Sequence, residues 1–424
     1  MDKDIAFVIY YTNENKFSFN ALVAAIESDR ATRHIDIYYI EERKELMGRL
    51  GKIANDYKTV VVGVSFFTTQ IWEIKNLIKK LKRRHSKNIV YIAGGPHPSG
   101  DPERTLKMGF DIVVHGEGEK TTIELLKALK NKNSIKDIKG ISYMDKTQGF
   151  KRTPNRPLVD LNEYPLFPMI NTNYGSLEIT RGCPYMCYFC QVSFICGKKP
   201  RHRSIDNTLK FIRIMKEEDL TDIRFITPNA FSYGSEDGKE LNLPILEELL
   251  VSIKEIIKPS GRIFFGSFPS EVRPEHINQQ TIELVKKYAS NDNIVIGAQS
   301  GSQRILDKTH RGHTTEDIYN AVEMTINSGL KANVDFILGL PGINKEDIAL
   351  TMEMMKNLVK IGARIHAHSF IPLPQTPFER KIPPSINNKM REFIVDLNHR
   401  GHLYGNWRKQ EKLAKKISKY LRKT

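Results

Sequence analysis

The chain has 424 residues and a formal net charge of +16, from 65 Lys and Arg against 49 Asp and Glu; 40% of it is hydrophobic and 27% charged. That balance is ordinary for soluble globular domains and argues against a disordered or membrane-embedded chain, while the length suggests two or three domains. The most apolar run, around Val60 to Phe67, is far shorter than the roughly 18 residues of a spanning helix. The opening MDKDIAFVIYY lacks the basic head and cleavage site of a secretory signal, so a cytoplasmic protein is expected. The positive charge favours anionic partners, nucleic acid among them, although a Lys-rich solvated surface spread over many helices is the plainer reading.

The first third alternates β-branched runs with amphipathic stretches. Strands are expected at Ile5–Tyr10, Ile35–Ile40, Thr59–Ser65, Asn88–Ala93 and Ile112–His115. The spacing of Ile71, Ile74, Ile78 and Leu81 predicts a helix with one buried face. Continuously apolar runs such as TVVVGV suit strands covered on both sides, so residues 1–135 are expected to form a doubly wound, Rossmann-like α/β domain. Residues 136–170, with prolines at Pro154, Pro157, Pro165 and Pro168, read as a hairpin and extended linker.

Alternation resumes over 171–380. Strands are expected at Leu177–Thr180, Asp222–Thr227, Arg262–Gly266, Ile294–Ala298, Asn333–Leu338 and Arg364–Ile371, with helices at Ser204–Glu218, Pro244–Ile257, Asn278–Ser290, Thr315–Ser328 and Lys345–Ile361. Six βα units are too few for a closed eightfold barrel and enough for an open partial one, whose chemistry sits at the carboxyl ends of the strands. Residues 381–424 are expected to be a basic helical extension, with Leu413, Ile417 and Leu421 forming an apolar stripe that docks on the barrel.

The 4 cysteines all lie between Cys183 and Cys196, which points to metal or redox chemistry rather than a disulfide framework. Cys183, Cys187 and Cys190 follow the first barrel strand with spacing C-x3-C-x2-C. Three thiolates on one loop suit a cubane iron–sulfur cluster that keeps one iron free of protein ligand. A zinc site with Cys196 as fourth ligand is the rival, and Cys196 reads better as a small buried residue or spare thiol.

At TRGCPYMCYFC the sequence resembles the radical S-adenosylmethionine (SAM) superfamily, matched by Cys183, Cys187, Phe189 and Cys190. The resemblance implies a 4Fe-4S cluster whose open iron binds SAM and, on reduction, cleaves it to a 5′-deoxyadenosyl radical, with Phe189 near the adenine. It also implies contacts to SAM from Gln299, Ser300 and Ser302 in GAQSGSQRIL, and from Arg311 in THRGHT as a partner of the carboxylate. Gly339 and Gly342 of LGLPG would allow close backbone approach to the adenine. Where relatives carry Gly-Gly-Glu after the second strand this chain reads ITPNAFSYG, so Thr227 or Asn229 would substitute.

The strand-end loops of the first domain are similar to the cobalamin (B12)-binding domain of one radical SAM branch. The positions carried over are Ser65, Thr68, Thr69, Gly94, Gly95, Gly116, Glu117 and Gly118. The D-x-H-x-x-G motif is absent, so a lower face free of histidine is implied; His34, His85, His97 and His115 all lie outside such a motif, and His97 alone reads as a turn residue. The linker and the GHLYGNW tail resemble an archaeal family of B12-domain radical SAM proteins.

The resulting expectation is a cobalamin-dependent radical SAM enzyme that methylates an unactivated carbon or phosphorus centre. Its substrate is a small molecule or a tRNA, and its electron donor a protein such as ferredoxin or flavodoxin, with no membrane partner. Radical rearrangement or cyclisation is the enzymatic alternative; a basic nucleic-acid-binding protein with structural zinc is the alternative of another class. A second cluster is not expected, because residues 1–182 and those after Cys196 contain no cysteine.

Overall fold

The structure, a computed structural model, describes residues 3–84 and 88–423. His85 lies outside them. The chain divides into two compact units, Met1–Gly175 and Ser176–Thr424.

The first unit is built on a seven-stranded sheet of order β2-β1-β3-β4-β5-β6-β7. Its strands are β1 (Lys3–Tyr10), β2 (Asp36–Ile40), β3 (Tyr57–Ser65), β4 (Ile89–Gly94), β5 (Ile112–Val114), β6 (Ile141–Asp145) and β7 (Gly149–Arg152). The first five are parallel, and β6 and β7 add antiparallel. Val60, Val61, Val62 and Val64 are buried because helices cover both faces of the sheet, as the unbroken valine run requires. One face packs Phe7, Ile9, Phe19, Val23, Ile26, Leu125 and Leu126 into a single core. The chain leaves β1 toward β2 and returns to β3 on the other side, so the topological switch point lies at the carboxyl ends of β1 and β3.

Two segments differ from expectation. The hairpin β6–β7 does not stand apart as linker but extends the sheet, and the Pro-rich stretch after it is strapped to the same unit. The Glu117 carboxylate accepts the Val159 N–H at 2.6 Å, and Glu27 accepts the N–H groups of Met169, Ile170 and Asn171 at 2.6–2.8 Å. The glycine-rich loop after β4 continues into a short helix, Pro96–Gly100, because proline is tolerated in a helix's first turn.

The second unit carries six successive parallel βα strands: β8 (Leu177–Glu178), β11 (Asp222–Ile226), β12 (Arg262–Phe264), β13 (Asn293–Gln299), β14 (Lys331–Leu338) and β15 (Arg364–Ser369). Between the first two of these, β9 (Thr180–Arg181) and β10 (Arg201–His202) form a small antiparallel pair. Ladders run β12-β11-β8 and β13-β14-β15, and the segment after β12 joins the two through a Val272–Ile296 bridge. This is the expected partial barrel. One further short strand, β16 (Leu403–Tyr404), pairs with β15 and was not foreseen. The extension contains two helices, Asn388–His399 and Trp407–Arg422, with Trp407, Ala414, Ile417 and Leu421 buried. Among the described residues no helix is long and apolar enough to cross a membrane.

Candidate active site

The cysteine loop leaves β9 through Gly182, whose φ is +94°. A Cβ there would come within 2.4 Å of the Lys199 carbonyl, so only glycine lets the loop start. The Cys183 N–H donates to the Gly197 carbonyl at 3.0 Å, and the Ser193 hydroxyl donates to the Cys183 carbonyl at 2.7 Å. Farther along, the Tyr188 N–H donates to the Thr309 carbonyl (3.0 Å), and the Tyr188 carbonyl accepts from the Phe378 N–H (3.2 Å). Segments that follow β13 and β15 therefore fix the loop.

Burial pushes the Cys183 thiol up, and pushes Cys190 up to about 12. Such thiols ionise when a cation compensates them. Among the described residues, the trio of metal-type donors with all atoms within 4.8 Å is Asp335, His366 and His368, not the cysteines. Cys196 ends the helix Val192–Cys196, and its carbonyl accepts from Arg201 at 2.8 Å.

Arg311 is brought to the loop from beyond β13. Its side chain is buried; Nη2 donates to the Gly297 carbonyl at 2.6 Å, Nη1 lies 3.8 Å from the Cys187 sulfur, and Nε has no partner among the described residues. A buried guanidinium N–H without an acceptor is costly unless an anionic group joins it. The residues thus fit a cluster and an anionic ligand beside it.

Gln299 ends β13 at φ +72°, just past a register shift, and lines a pocket of about 270 Å³ with Phe189, Glu271, Asp335, His368 and Phe370. Ser300 accepts from the Ser302 N–H, while Ser302 caps the helix Gln303–Lys308 and donates to Asp347 at 2.6 Å. Gly339, at φ +71°, makes room for the Pro384 carbonyl, 2.9 Å from where a Cβ would sit. Thr227 donates to the Asn229 carbonyl; Asn229 contacts His276 at 2.6 Å and accepts the Arg273 N–H. Both side chains are spent on this turn, so they shape the second strand end rather than offer a free group.

Two features escaped the sequence reading. Glu271 brings a carboxylate to the pocket beside Arg311 and Gln299: a Cβ on Gly297 would meet all three side chains within 3.3 Å. Its carboxylate has no hydrogen-bond partner among the described residues, and burial raises its pKa. The segment that follows β12 thus places an acid beside Gln299. The second feature is a chain of hydrogen-bonding groups. The Ser369 N–H donates to Gln410 Oε1 (2.9 Å), which turns Gln410 Nε2 toward His368 Nδ1 (3.3 Å). His368 Nδ1 therefore accepts, and the neutral ring carries its proton on Nε2, 3.2 Å from His366 Nδ1; that atom lies 2.9 Å from Asp335 Oδ1. A metal on His368 Nε2 would require the proton on Nδ1, against an amide NH2. Asp335, His366 and His368 thus form one chain of polar contacts. Its signal was His-x-His on one strand, which places both rings on one face.

In the first unit, Ser65, Thr68, Gly94, Gly95 and Gly116 meet at the ends of β3, β4 and β5. A Cβ on Gly95 (φ +91°) would sit 2.5 Å from the Ser65 hydroxyl, whereas at Gly94 and Gly116 it would meet nothing closer than 4.0 Å. Phe67 is exposed there, and Thr69 beside it. Open glycines next to an exposed aromatic suit a broad, planar, largely apolar ligand such as a corrin. Thr68 turns inward to His97 Nδ1 (3.2 Å), Glu117 holds the strap, and Gly118 precedes the helix Glu119–Asn131. His97 is not a turn residue but fully buried, and burial lowers its pKa to about 3. His115 is buried against the Ile141 carbonyl, its pKa lowered to about 4 by burial.

Residues 177–355 match the model of the Radical SAM superfamily, and residues 25–126 that of the B12 binding domain. An uncharacterized methyltransferase of Pyrococcus horikoshii is 27% identical over 323 residues, covering 73% of this chain and 66% of the relative, just under two thirds of its length. The radical S-adenosylmethionine methyltransferase TsrM from Kitasatospora setae, solved with cobalamin and a 4Fe-4S cluster, aligns with a TM-score of 0.69 at 15% identity, over 90% of this chain and 78% of that one. The cobalamin-dependent S-adenosylmethionine radical enzyme OxsB aligns at 0.64 and 19%, over 84% of this chain and 52% of the other. At these identities the structural likeness is one of fold.

Proposed function

Because the chain belongs to the radical SAM superfamily, in the branch that carries a B12-binding domain, we propose that it is a cobalamin-dependent radical SAM methyltransferase acting on an unactivated carbon or phosphorus centre. The observation that carries this reading is the loop of Cys183, Cys187 and Cys190, its central Cys187 buried, with the Arg311 Nε beside it that has no partner among the described residues. When bound, a 4Fe-4S cluster supplies reductive cleavage of SAM to a 5′-deoxyadenosyl radical and cobalamin supplies a methyl carrier.

The chain's own groups bind, orient and exclude water. The three cysteines hold the cluster. Arg311 offers Nε to the SAM carboxylate, Glu271 and Gln299 take its hydroxyl or ammonium donors, and Phe189 packs on the adenine. Phe370 and Ile337 keep the pocket apolar, which protects a radical from solvent. Asp335 Oδ1 lies 2.9 Å and His368 Nε2 3.2 Å from the same atom, His366 Nδ1, so the three groups form one polar cluster at the pocket wall. In the first unit, Gly94, Gly95 and Gly116 would let a corrin lie on the backbone, with Ser65 and Thr69 at its rim. The methyl acceptor is a small molecule or an RNA, and the reductant a ferredoxin or flavodoxin.

Anaerobic reconstitution with iron, sulfide and hydroxocobalamin tests the proposal. One cluster and one corrinoid per chain are expected, with 5′-deoxyadenosine released from SAM under reduction. In Cys187→Ala both the cluster and SAM cleavage should be lost. SAM left intact by a fully loaded wild-type protein would overturn the reading.

A further inference from the structure

The positive charge is not evenly spread. Residues 381–424 hold twelve Lys and Arg against three Asp and Glu, more than half of the net +16 in about a tenth of the chain. The last helix, Trp407–Arg422, concentrates it further. Its apolar face, Trp407, Ala414, Ile417 and Leu421, is buried on the barrel. Its one acid, Glu411, is buried too and accepts from Arg391 at 2.8 and 3.0 Å. Arg408, Lys409, Lys412, Lys415, Lys419 and Arg422 are exposed, and no carboxylate stands among them on that helix. Cations recur every three or four residues, about 4.5–6 Å apart along the axis, a spacing that follows a strand of phosphodiesters.

The same helix touches the candidate site. Gln410, on its inner side, contacts His368 at 3.3 Å, and the Ser369 hydroxyl donates to the Trp407 carbonyl at 2.8 Å. The cationic face is therefore about one helix diameter, ~10 Å, from the pocket wall. That wall pairs a flat apolar group, Phe370, with the hydrogen-bonding Asp335 and His368, the surroundings an unstacked base requires.

From these juxtapositions we infer that the exposed face of the helix Trp407–Arg422 docks the phosphate backbone of a folded RNA, which presents an unpaired nucleotide to the barrel pocket. An anionic membrane is a poorer partner, since insertion needs an apolar face and this helix has already buried its own. Duplex DNA is poorer too, because its bases must first be unstacked, whereas RNA loops offer them free. The inference rests on the barrel pocket being the reactive compartment, but the docking itself is read without SAM chemistry.

The test is fluorescence anisotropy of the full-length protein with fluorescein-labelled unfractionated tRNA, at low and raised salt, beside a DNA duplex and phosphatidylglycerol vesicles. Wild type should bind tRNA in preference to both, with affinity falling steeply with salt. Lys409→Glu/Lys412→Glu/Lys415→Glu/Lys419→Glu should bind at least about ten-fold more weakly and with a shallower salt slope. A glutamine version of the four changes should lie between, while iron content, melting temperature and SAM cleavage stay at wild-type values. Equal binding by wild type and the glutamate variant, or equal affinity for duplex or vesicles, would overturn it. Loss of SAM cleavage in wild type with tRNA binding retained would instead count against the proposed function alone.

Discussion

Arg311 sits where three demands meet: it closes the Gly297 carbonyl, faces the Cys187 sulfur and keeps one N–H in reserve. A planar fork can do all three at once, and a lysine ammonium cannot. Arg311→Lys should retain the positive charge and the cluster but lose the reserved donor. We expect roughly a ten- to hundred-fold rise in Kd for SAM, the equivalent of one charge-assisted hydrogen bond at roughly 1.5–3 kcal/mol. Iron content should be unchanged, and equilibrium dialysis with SAM on the reconstituted protein reads the difference. Glu271 marks the limit of what such residue-level reasoning reaches from sequence alone. Glu271, Asp335, His366 and Gln410 come from segments far apart in the chain and meet only through barrel closure, whereas the three cysteines lie within eight residues and announce themselves by spacing.

Elements are legible to the extent that their physics is local. The valine run of β3, the helix Ile71–Arg84 and the six barrel strands each carry their own periodicity, and the structure places them within a few residues of expectation. What stayed hidden depends on a partner. The strand β16 is two residues long and exists because β15 offers a free edge, and the Pro-rich strap is held by buried carboxylates, Glu27 and Glu117, that sequence cannot pair with distant amides. The cysteine loop combines both kinds of control. Its spacing is local, but its closure needs the Lys199 carbonyl to pass where a side chain at position 182 would be. Gly182→Ala would add an impossible 2.4 Å contact at a left-handed φ, an overpacking cost of about 1–3 kcal/mol plus about 1–2 kcal/mol for the backbone. The expected outcome is a folded protein that binds less iron, measured by iron content and visible absorbance after reconstitution. Full loading in this variant would mean that the loop closes in another way.

At the scale of the whole molecule, buried neutral histidines set the response to acid. Burial lowers His97 to about 3, His115 to about 4 and His313 to about 2, against an ordinary 6.5. Each is depressed in the fold, so the unfolded chain binds the extra proton first. The stability these residues contribute is present above pH 6.5 and is lost as pH falls from there toward their folded values. Each group costs about 1.4 kcal/mol per pH unit inside that window. Glu271 and Asp101, whose carboxyls are raised by burial, act in the opposite sense, each only below its own raised value. Burial lowers His202, His276 and His368 as well, so depressed histidines outnumber raised carboxyls and acidification gives a net loss of stability before the ordinary carboxylate range is reached. Chemical denaturation of the full chain at pH 7.5 and pH 5.5 should show it directly. His97→Gln, which keeps a partner for the Thr68 hydroxyl but does not titrate, should reduce the slope by about 1.4 kcal/mol per pH unit. A slope identical to wild type would mean that His97 is protonated, and differently paired, in the native first unit.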